Sequence, residues 1–542
     1  MKLLDFFNRE SEVPKKKLIF TAFTSGLANG YLLIIINNAA ETINGGADLQ
    51  LQHFLIFLLD LILLAYTKQY TLKNATIAAE DAIDRVRTRV ADKLRHTELH
   101  YIETVGHTSI YTRIAQDTSL ISESAIMLAN ACQQIIVVAM CLLYIAWLSI
   151  PGFLLTISIL CIAILMYFYN SSFIKAKLRE ASEKETSFFN GIRSILLGFK
   201  EIKINHKKNE ALFSHIKNIS NDVKDIKVSA GFHFVIDLMF AQTAFFILCA
   251  GIIFALPAVS VINVKEVVGI TIAILFLFAP LAVVINAFSM FVRANIAVEN
   301  IYELEQEIDA VSKKEAVVEI DVPTFESLEF DKVTFHYPMQ DGSSNFGVGP
   351  LSFKIKKGDV LFIVGGNGSG KSTLLKLLTG LYYPISGNIY LNDKLLSQKD
   401  YLNFRELYTT IFTDFHLFEN LYGIDNIDEN RVDTLLKEME LDKKTSFEHD
   451  HFSNTDLSTG QRKRLAYIAS LLEDKQIFIF DEWAADQDPE FRKHFYEVLL
   501  GELKAKGKTA IAVSHDDRYF SAADTVIKME YGQITATQTF KH

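Results

Sequence analysis

The chain has 542 residues, 50% of them hydrophobic, with a mean hydropathy of +0.19. A soluble chain of this size rarely averages above zero, so part of it belongs in lipid, and the length leaves room for two or more domains. Net charge is -10, from 54 Lys+Arg against 64 Asp+Glu, which excludes the basic footprint of a nucleic-acid binder.

Residues 1–17 are charged and carry no small-residue cleavage site after their first apolar run, so no removable signal peptide is expected. Six apolar runs follow, at about 17–38, 51–70, 125–148, 152–169, 232–255 and 267–291. A helix needs about 20 mainly apolar residues to cross the hydrocarbon core, and each run is close to that. The second is interrupted by Asp60 and is still read as a span. Pro280 is expected to kink the sixth. The cysteines, Cys132, Cys141, Cys161 and Cys249, all lie in apolar runs and form no CxxC or Cys/His pair. They read as small buried hydrophobes.

Charge orients the spans. Arg9, Lys15, Lys16 and Lys17 precede the first. Arg85, Arg87, Arg89, Lys93 and Arg95 lie between the second and third, and Lys175, Lys177, Arg179, Lys200, Lys203, Lys207 and Lys208 between the fourth and fifth. The opposite connections, 39–50, 149–151 and 257–266, contain only Lys265. Positive charge stays inside, so both termini and both long connections are expected in the cytoplasm. Those connections, about 71–124 and 170–231, are polar and free of proline. They predict helices that extend well below the membrane.

From about Leu328 the pattern changes. Strand candidates at 332–337, 359–364, 476–480 and 509–513 alternate with helical patterns. That alternation indicates an α/β domain with a largely parallel sheet. The expected division is a helical membrane domain over 1–300, an acidic, polar linker over 301–327 and the α/β domain over 328–542.

Between the second strand and a helical stretch lies Gly365-Gly366-Asn367-Gly368-Ser369-Gly370-Lys371-Ser372-Thr373. This matches G-x-x-x-x-G-K-[ST] in the required strand–loop–helix setting. The glycines let the backbone curl so that N–H groups face phosphate oxygens, and the helix N-terminus adds positive potential. Lys371 is expected on the β- and γ-phosphates and the Ser372 hydroxyl on Mg²⁺. Further on, the apolar Ile477-Phe478-Ile479-Phe480 delivers Asp481 and Glu482 at a strand end, where ligands bind in open α/β sheets. Asp481 suits Mg²⁺; Glu482 suits a general base that polarises the attacking water. Taken alone, this second pattern also fits a buried strand running into a polar turn.

A third segment, Leu457-Ser458-Thr459-Gly460-Gln461-Arg462-Lys463-Arg464, resembles the signature of ABC proteins, with Thr459 where a glycine is usual. Locally it is also a helix N-cap at Ser458, which does not explain its company with the other two motifs. The resemblance implies ATP and Mg²⁺ as cofactors. It implies that Ser458, Thr459, Gly460 and Gln461 meet the nucleotide held by a second subunit, and that Asp488 touches that subunit. By the same resemblance Tyr337 stacks on adenine and His515 contacts the γ-phosphate. Thr413 stands where ABC proteins usually carry a glutamine that senses nucleotide, and threonine is too short to reach Mg²⁺ unaided.

The runs Phe412-Thr413-Asp414-Phe415-His416-Leu417-Phe418 and Asp481-Glu482-Trp483-Ala484-Ala485-Asp486-Gln487-Asp488-Pro489 resemble a narrower group, the cyclic-peptide and siderophore exporters of the pyoverdine, syringomycin and lasso-peptide type. The implied fold is an all-α exporter-like membrane domain of six helices followed by an α/β P-loop nucleotide-binding domain. The implied assembly is a dimer of half-transporters, the second being another copy of the chain, in the cytoplasmic membrane among lipid. Turns near 108–116 and 194–200 are expected to transmit the motor's stroke.

Cargo residues are sought among polar groups in or near the spans: Asp60, Asn130, Gln133, Gln134, Asp237, Gln242 and Asn286. Such groups face a cavity or one another, because exposure to lipid is costly. A cavity reading suits a polar, amide-rich, peptide-like or siderophore-like cargo. Hydrogen bonding between helices is the plainer alternative for the amides. Two rival functions stay open at this point: export of lipids or hydrophobic drugs, and a membrane-anchored regulatory ATPase that transports nothing.

Overall fold

The computed structural model describes residues 2–44, 51–259, 264–311, 321–337 and 346–540. The chain divides into two compact units, one of residues 1–91 and 110–304, the other of residues 92–109 and 305–542.

Up to residue 311 the described residues are almost all helical. In order they are α1 Lys2–Glu10, α2 Lys15–Asn44, α3 Leu51–Arg95, α4 Leu99–Val105, α5 His107–Thr112, α6 Thr118–Leu148, α7 Ile150–Leu197, α8 Phe199–Ile204, α9 His206–Ala250, α10 Leu256–Val259 and α11 Val264–Val311. All six apolar runs fall on helices. Five helices among the described residues are long and apolar enough to cross a membrane, and the apolar part of α7 is the shorter stretch Ile150–Met166. The polar connections continue the same helices outward, as their composition predicts. Ser149 caps α7, its hydroxyl accepting from Gly152 N at 3.3 Å with proline in the first turn. Asn205 caps α9 by accepting from Lys208 N at 3.0 Å. Pro280 lies inside α11, and that helix runs on through residues 301–311, where composition alone suggests a linker.

Lipid tails are as apolar as leucine, so membrane helices associate through close packing and polar contacts. Helices α2 and α6 use both. Gly26 and Gly30, four residues apart, leave room for Ile136 and Met140. Farther along the same seam Asn37 Nδ2 donates to the Tyr144 hydroxyl at 2.5 Å, and Thr71 on α3 donates to Thr21 on α2 at 3.0 Å. Leu33, Val137, Cys141, Ile145, Ile252, Ile270, Ile274 and Leu277 form a buried core there. Burial of Cys141 is as expected, but Cys132 and Cys161 are exposed on this chain. A thiol on an apolar helix is compatible with hydrocarbon and needs no protein cover.

In the second unit a six-stranded sheet has the order β12-β11-β3-β10-β9-β6. Its strands are β3 Val360–Val364, β6 Tyr408–Ile411, β9 Ile477–Asp481, β10 Thr509–Val513, β11 Thr525–Glu530 and β12 Gln533–Thr539. All pairings are parallel except β11 with β12. Every residue of β3, β9 and β10 is buried, as befits parallel strands covered on both faces. An antiparallel sheet of order β2-β1-β4-β5 packs beside it, from β1 Ser327–His336, β2 Gly347–Lys356, β4 Ser386–Leu391 and β5 Lys394–Leu395. A small hairpin pairs β7 Phe447–Glu448 with β8 His451–Phe452. Besides α4 and the end of α11, the helices of this unit include α12 Lys371–Leu378, α13 Tyr401–Arg405, α14 Glu429–Glu438, α15 Thr459–Glu473, α16 Pro489–His494 and α17 Leu500–Ala505.

The α2–α6 seam yields a test. A side chain at Gly26 would place its Cβ 2.7 Å from Ile136 Cβ and 2.8 Å from the Gln133 carbonyl. Gly26→Val is expected to cost about 1–3 kcal/mol through overpacking, seen as a lower melting temperature of the purified protein in detergent. An unchanged melting temperature would mean that the two helices do not depend on this approach.

Candidate functional site

The phosphate loop leaves the buried strand β3 and ends at the N-terminus of α12. Gly365 has φ 154°, and a Cβ there would lie 2.3 Å from the Met529 carbonyl and 2.7 Å from Ser369 Oγ. Only glycine permits that approach. Lys371 is buried and its ammonium donates to Gly365 O at 2.9 Å and Gly366 O at 3.0 Å. Ser369 is buried too, and its Oγ has no protein partner. An orphaned hydroxyl inside a curled loop at a helix N-terminus fits an incoming phosphate. Gly366, Asn367, Gly368 and Ser372 are exposed on the rim, while Gly370 and Thr373 are buried.

The carboxylates stand where the sequence puts them. Asp481 closes β9 and is 5% exposed. Burial pushes its carboxyl above the usual range, and donation from Thr413 and the nearby Lys371 pull against that. The Thr413 hydroxyl reaches the Asp481 carbonyl at 3.4 Å. Glu482 follows in the left-handed region, φ 49°, ψ 36°, a conformation that costs a non-glycine residue about 1–3 kcal/mol. Its Oε1 lies 3.0 Å from His515 Nε2. For that contact Nε2 carries the ring proton, the tautomer being set by the hydrogen bond. Tyr337 joins the cluster through a 3.1 Å hydrogen bond to Thr373 Oγ1.

The signature belongs to a different hollow. Ser458 caps α15 and forms a capping box with Gln461. Ser458, Thr459, Gly460 and Gln461 line an open depression of about 530 Å³ with Glu440, Arg464, Asp486, Gln487 and Asp488. A Cβ on Gly460 would lie 2.7 Å from the Asp486 carbonyl, so the helix can approach that loop only with glycine here. Asp488 caps α16 through the Phe491 N–H at 2.9 Å and accepts from Arg464 Nη2 at 2.6 Å. The Phe491 N–H and the Arg464 guanidinium hold its carboxyl below the usual range. The aromatic stretch around 412–418 borders a further hollow of about 480 Å³, lined by His416, Phe418, Tyr422 and Arg462.

Sequence reasoning missed α4. This helix belongs to the same unit as the phosphate loop. Glu103 accepts from Lys376 Nζ on α12 at 2.7 Å and from the Tyr382 hydroxyl. The His100 ring sits 6.2 Å from Tyr337 and 6.1 Å from Tyr382. Tyr101 donates to Glu307 at 3.0 Å. The turn expected at 108–116 is instead the helix α5 and a π-helical turn, Arg113–Asp117; the docked element lies a few residues earlier. Of the other expected turn, Gly198 separates α7 from α8.

Of the groups proposed for cargo, Asp60, Gln133 and Gln134 are buried, Asn130 and Asp237 are half-buried, and Gln242 and Asn286 are exposed. Both amide atoms of Gln133, and Oδ2 of Asp60, have no protein partner.

A P-loop, a strand-end carboxylate pair and a histidine on one parallel sheet, in a chain with several membrane-length helices, define a membrane-bound ATPase. Residues 348–485 match the ABC transporter family. The chain is 30% identical over 540 residues to the ATP-binding protein SyrD of Pseudomonas syringae pv. syringae, covering 96% of this chain and 94% of that one. It is 31% identical over 277 residues to an ATP-dependent lipid A-core flippase of Idiomarina loihiensis, 48% of this chain and 46% of that one. Its fold matches a bacterial Atm1-family ABC exporter solved with ATP bound, with a TM-score of 0.76 and 18% identity over 97% of this chain and 95% of that chain.

The chain belongs to the ABC transporter family. It is an ABC exporter half-transporter, a multi-pass membrane protein whose cytoplasmic domain uses ATP and Mg²⁺ and couples ATP hydrolysis to transport.

The α4 contact generates a prediction. Burial pushes the Glu103 carboxyl up, but the Lys376 and Tyr382 donors outweigh it and hold it below the usual range. A lowered carboxyl stabilises the docked state above its unfolded-chain pKa, and the gain is lost as pH falls through the lowered value. Glu103→Gln is therefore expected to raise hydrogen exchange of 99–105 at neutral pH by a few-fold, about 1 kcal/mol or less for a partly exposed pair. Acidification below the carboxylate range should lower protection of 99–105, taken as the ratio of intrinsic to observed exchange at each pH, in the wild-type chain and leave that ratio unmoved in the variant.

Proposed function

We propose that two copies of this chain face each other head to tail, close two ATP molecules between them, and export a peptide-like or siderophore-like cargo across the cytoplasmic membrane. The observation that carries the assembly is that no phosphate-loop residue, nor Asp481 or Glu482, lines the signature depression. The phosphate loop and carboxylates form one cluster, while Ser458 to Gln461 line another with Asp488. Phosphate is then met from both sides only when a second chain supplies its signature. The N-terminus of α15, with the Ser458 hydroxyl and backbone N–H groups, suits a γ-phosphate electrostatically.

ATP supplies the phosphoryl group whose transfer to water releases the closed pair. Lys371, already aimed back along the loop, steadies the β- and γ-phosphates. Ser372 and Asp481 would hold Mg²⁺, which would neutralise phosphate charge, and two such protein oxygens suit an ion that usually takes only one or two. Glu482 orients and polarises the attacking water, and His515, on its carboxylate, contacts the γ-phosphate side. Tyr337 stacks on adenine. Thr413 holds the end of β9 and does not take the usual glutamine's reach.

A polar cargo is supported by the groups that the bundle leaves unsatisfied. An interhelical hydrogen bond is the plainer role for a buried amide, yet neither amide atom of Gln133 has a protein partner. Such a group is costly unless something else meets it. Similarity to the flippase covers under half of each chain, and it keeps a lipid cargo as the alternative.

Two measurements on protein in proteoliposomes check this reading. Glu482→Gln should lower ATP turnover by about 10²–10⁴-fold while nucleotide still binds; full turnover in that variant overturns the mechanism. Peptide or siderophore probes should stimulate turnover and enter inverted vesicles, whereas lipid A and hydrophobic drugs should not. Gln133→Leu should weaken the half-maximal stimulation by about 10-fold, the size of one lost buried hydrogen bond. The reverse pattern of stimulation would favour the flippase-like alternative.

A further inference from the structure

The short loop after Glu482 contains contacts that neither the phosphate loop nor the signature accounts for. Lys463, on α15, has a side chain only 1% exposed. Its ammonium donates to the Glu482 carbonyl at 2.7 Å and pairs with Asp486 Oδ2 at 2.7 Å. Its own carbonyl accepts from Trp483 Nε1 at 2.9 Å. Trp483 is buried against Phe480, Phe491, Phe495 and Tyr467.

A buried ammonium is a costly way to fill space, since an apolar side chain would do so without desolvating a charge. What lysine adds here is a hold on one atom, the main-chain oxygen of Glu482. That residue sits in a left-handed conformation which the chain would not choose unaided. A carbonyl fixed by a buried cation cannot swing back, so the peptide plane is set. The direction of the Glu482 side chain toward His515 follows from it. Asp486 balances the cation from the far end of the same 3₁₀ turn, Trp483–Asp486.

We propose that Lys463 is a positioning residue for ATP hydrolysis: through the Glu482 carbonyl it holds the Glu482 carboxylate in its working orientation. This rests on Glu482 being the general base. Because Lys463 stands on the helix whose first turn is the signature, it also ties the base of one ATP site to the segment that serves the other.

The test is a double-variant cycle on the full-length protein in lipid, with kcat, KM and binding of a fluorescent ATP analogue measured for each. Lys463→Met is expected to lower kcat by about 10- to 100-fold, as misplacement of a catalytic group does, with KM and analogue binding within about two-fold of wild type. Asp486→Asn, which is half-exposed and keeps its shape, should lower kcat in the same direction but less. In a Glu482→Gln background, Lys463→Met should cost nothing further, because residues acting through one group are not additive. Three results overturn the proposal. They are kcat of Lys463→Met within about two-fold of wild type, losses that multiply in the double variant, or a kcat loss matched by lost nucleotide binding. Should Lys463→Met fail to fold, Asp486→Asn decides by the same cycle. Full turnover in Glu482→Gln would instead remove the underlying reading of the base, an outcome visible in that single variant alone.

Discussion

The chemistry of the motor depends on three strands that cannot carry charge along their length. Every residue of β3, β9 and β10 is buried, so polar groups collect where the strands end. Gly365 follows β3, Asp481 closes β9 with Glu482 beyond it, and Ser514 and His515 follow β10. Neighbouring strands are parallel and in register, with Val513 opposite both Ile363 and Asp481. Their exits therefore fall along one edge. Asp481 is the one carboxylate drawn into the buried layer, and its raised carboxyl shows the desolvation it bears. The Lys371 ammonium offsets part of that burial, and a divalent cation bound there would offset more.

The membrane unit obeys the opposite rule. There the surroundings are apolar, so a polar side chain is informative whenever the bundle does not satisfy it. Asn37 with Tyr144, and Thr21 with Thr71, meet each other and serve packing. Gln133 and Asp60 keep atoms with no protein partner. That difference sorts the six side chains better than polarity does, since all six lie on membrane-length helices.

Legibility in the sequence followed the range of the contacts. The strand Thr509–Val513 is read to the residue, and the phosphate loop, signature and carboxylate pair are found where chemistry fixes their spacing. Span positions follow from apolar length alone. The antiparallel sheet β2-β1-β4-β5 escapes, because its pairings join residues such as Leu328 and Leu391 across three intervening elements, β2, β3 and α12. The α4 contact escapes for the same reason: Glu103 and Lys376 are 273 residues apart. Lys463 and Arg464 look like the solvated face of a helix in sequence, and only folding puts Asp486, Gln487 and Asp488 beside them.

Thr413 is where these threads meet. The resemblance places it at a position that commonly holds a longer amide side chain able to touch the nucleotide. Here the hydroxyl ends on the Asp481 carbonyl at 3.4 Å, while the next carbonyl, that of Glu482, is held by Lys463 at 2.7 Å. Two successive main-chain oxygens of the carboxylate pair are thus gripped by two different elements, the end of β6 and the body of α15. Those two grips fix the base of the site without a longer side chain at position 413. The side of the site that holds the phosphate loop is gripped as well. The described residues offer α4, whose Glu103 grips α12 five residues beyond Lys371 and whose His100 lies beside Tyr337. One seven-residue helix thus touches both the helix that follows the phosphate loop and the Tyr337 ring. Thr413 and Glu103 hold the two sides of the site, the first at the end of β9 and the second on α12.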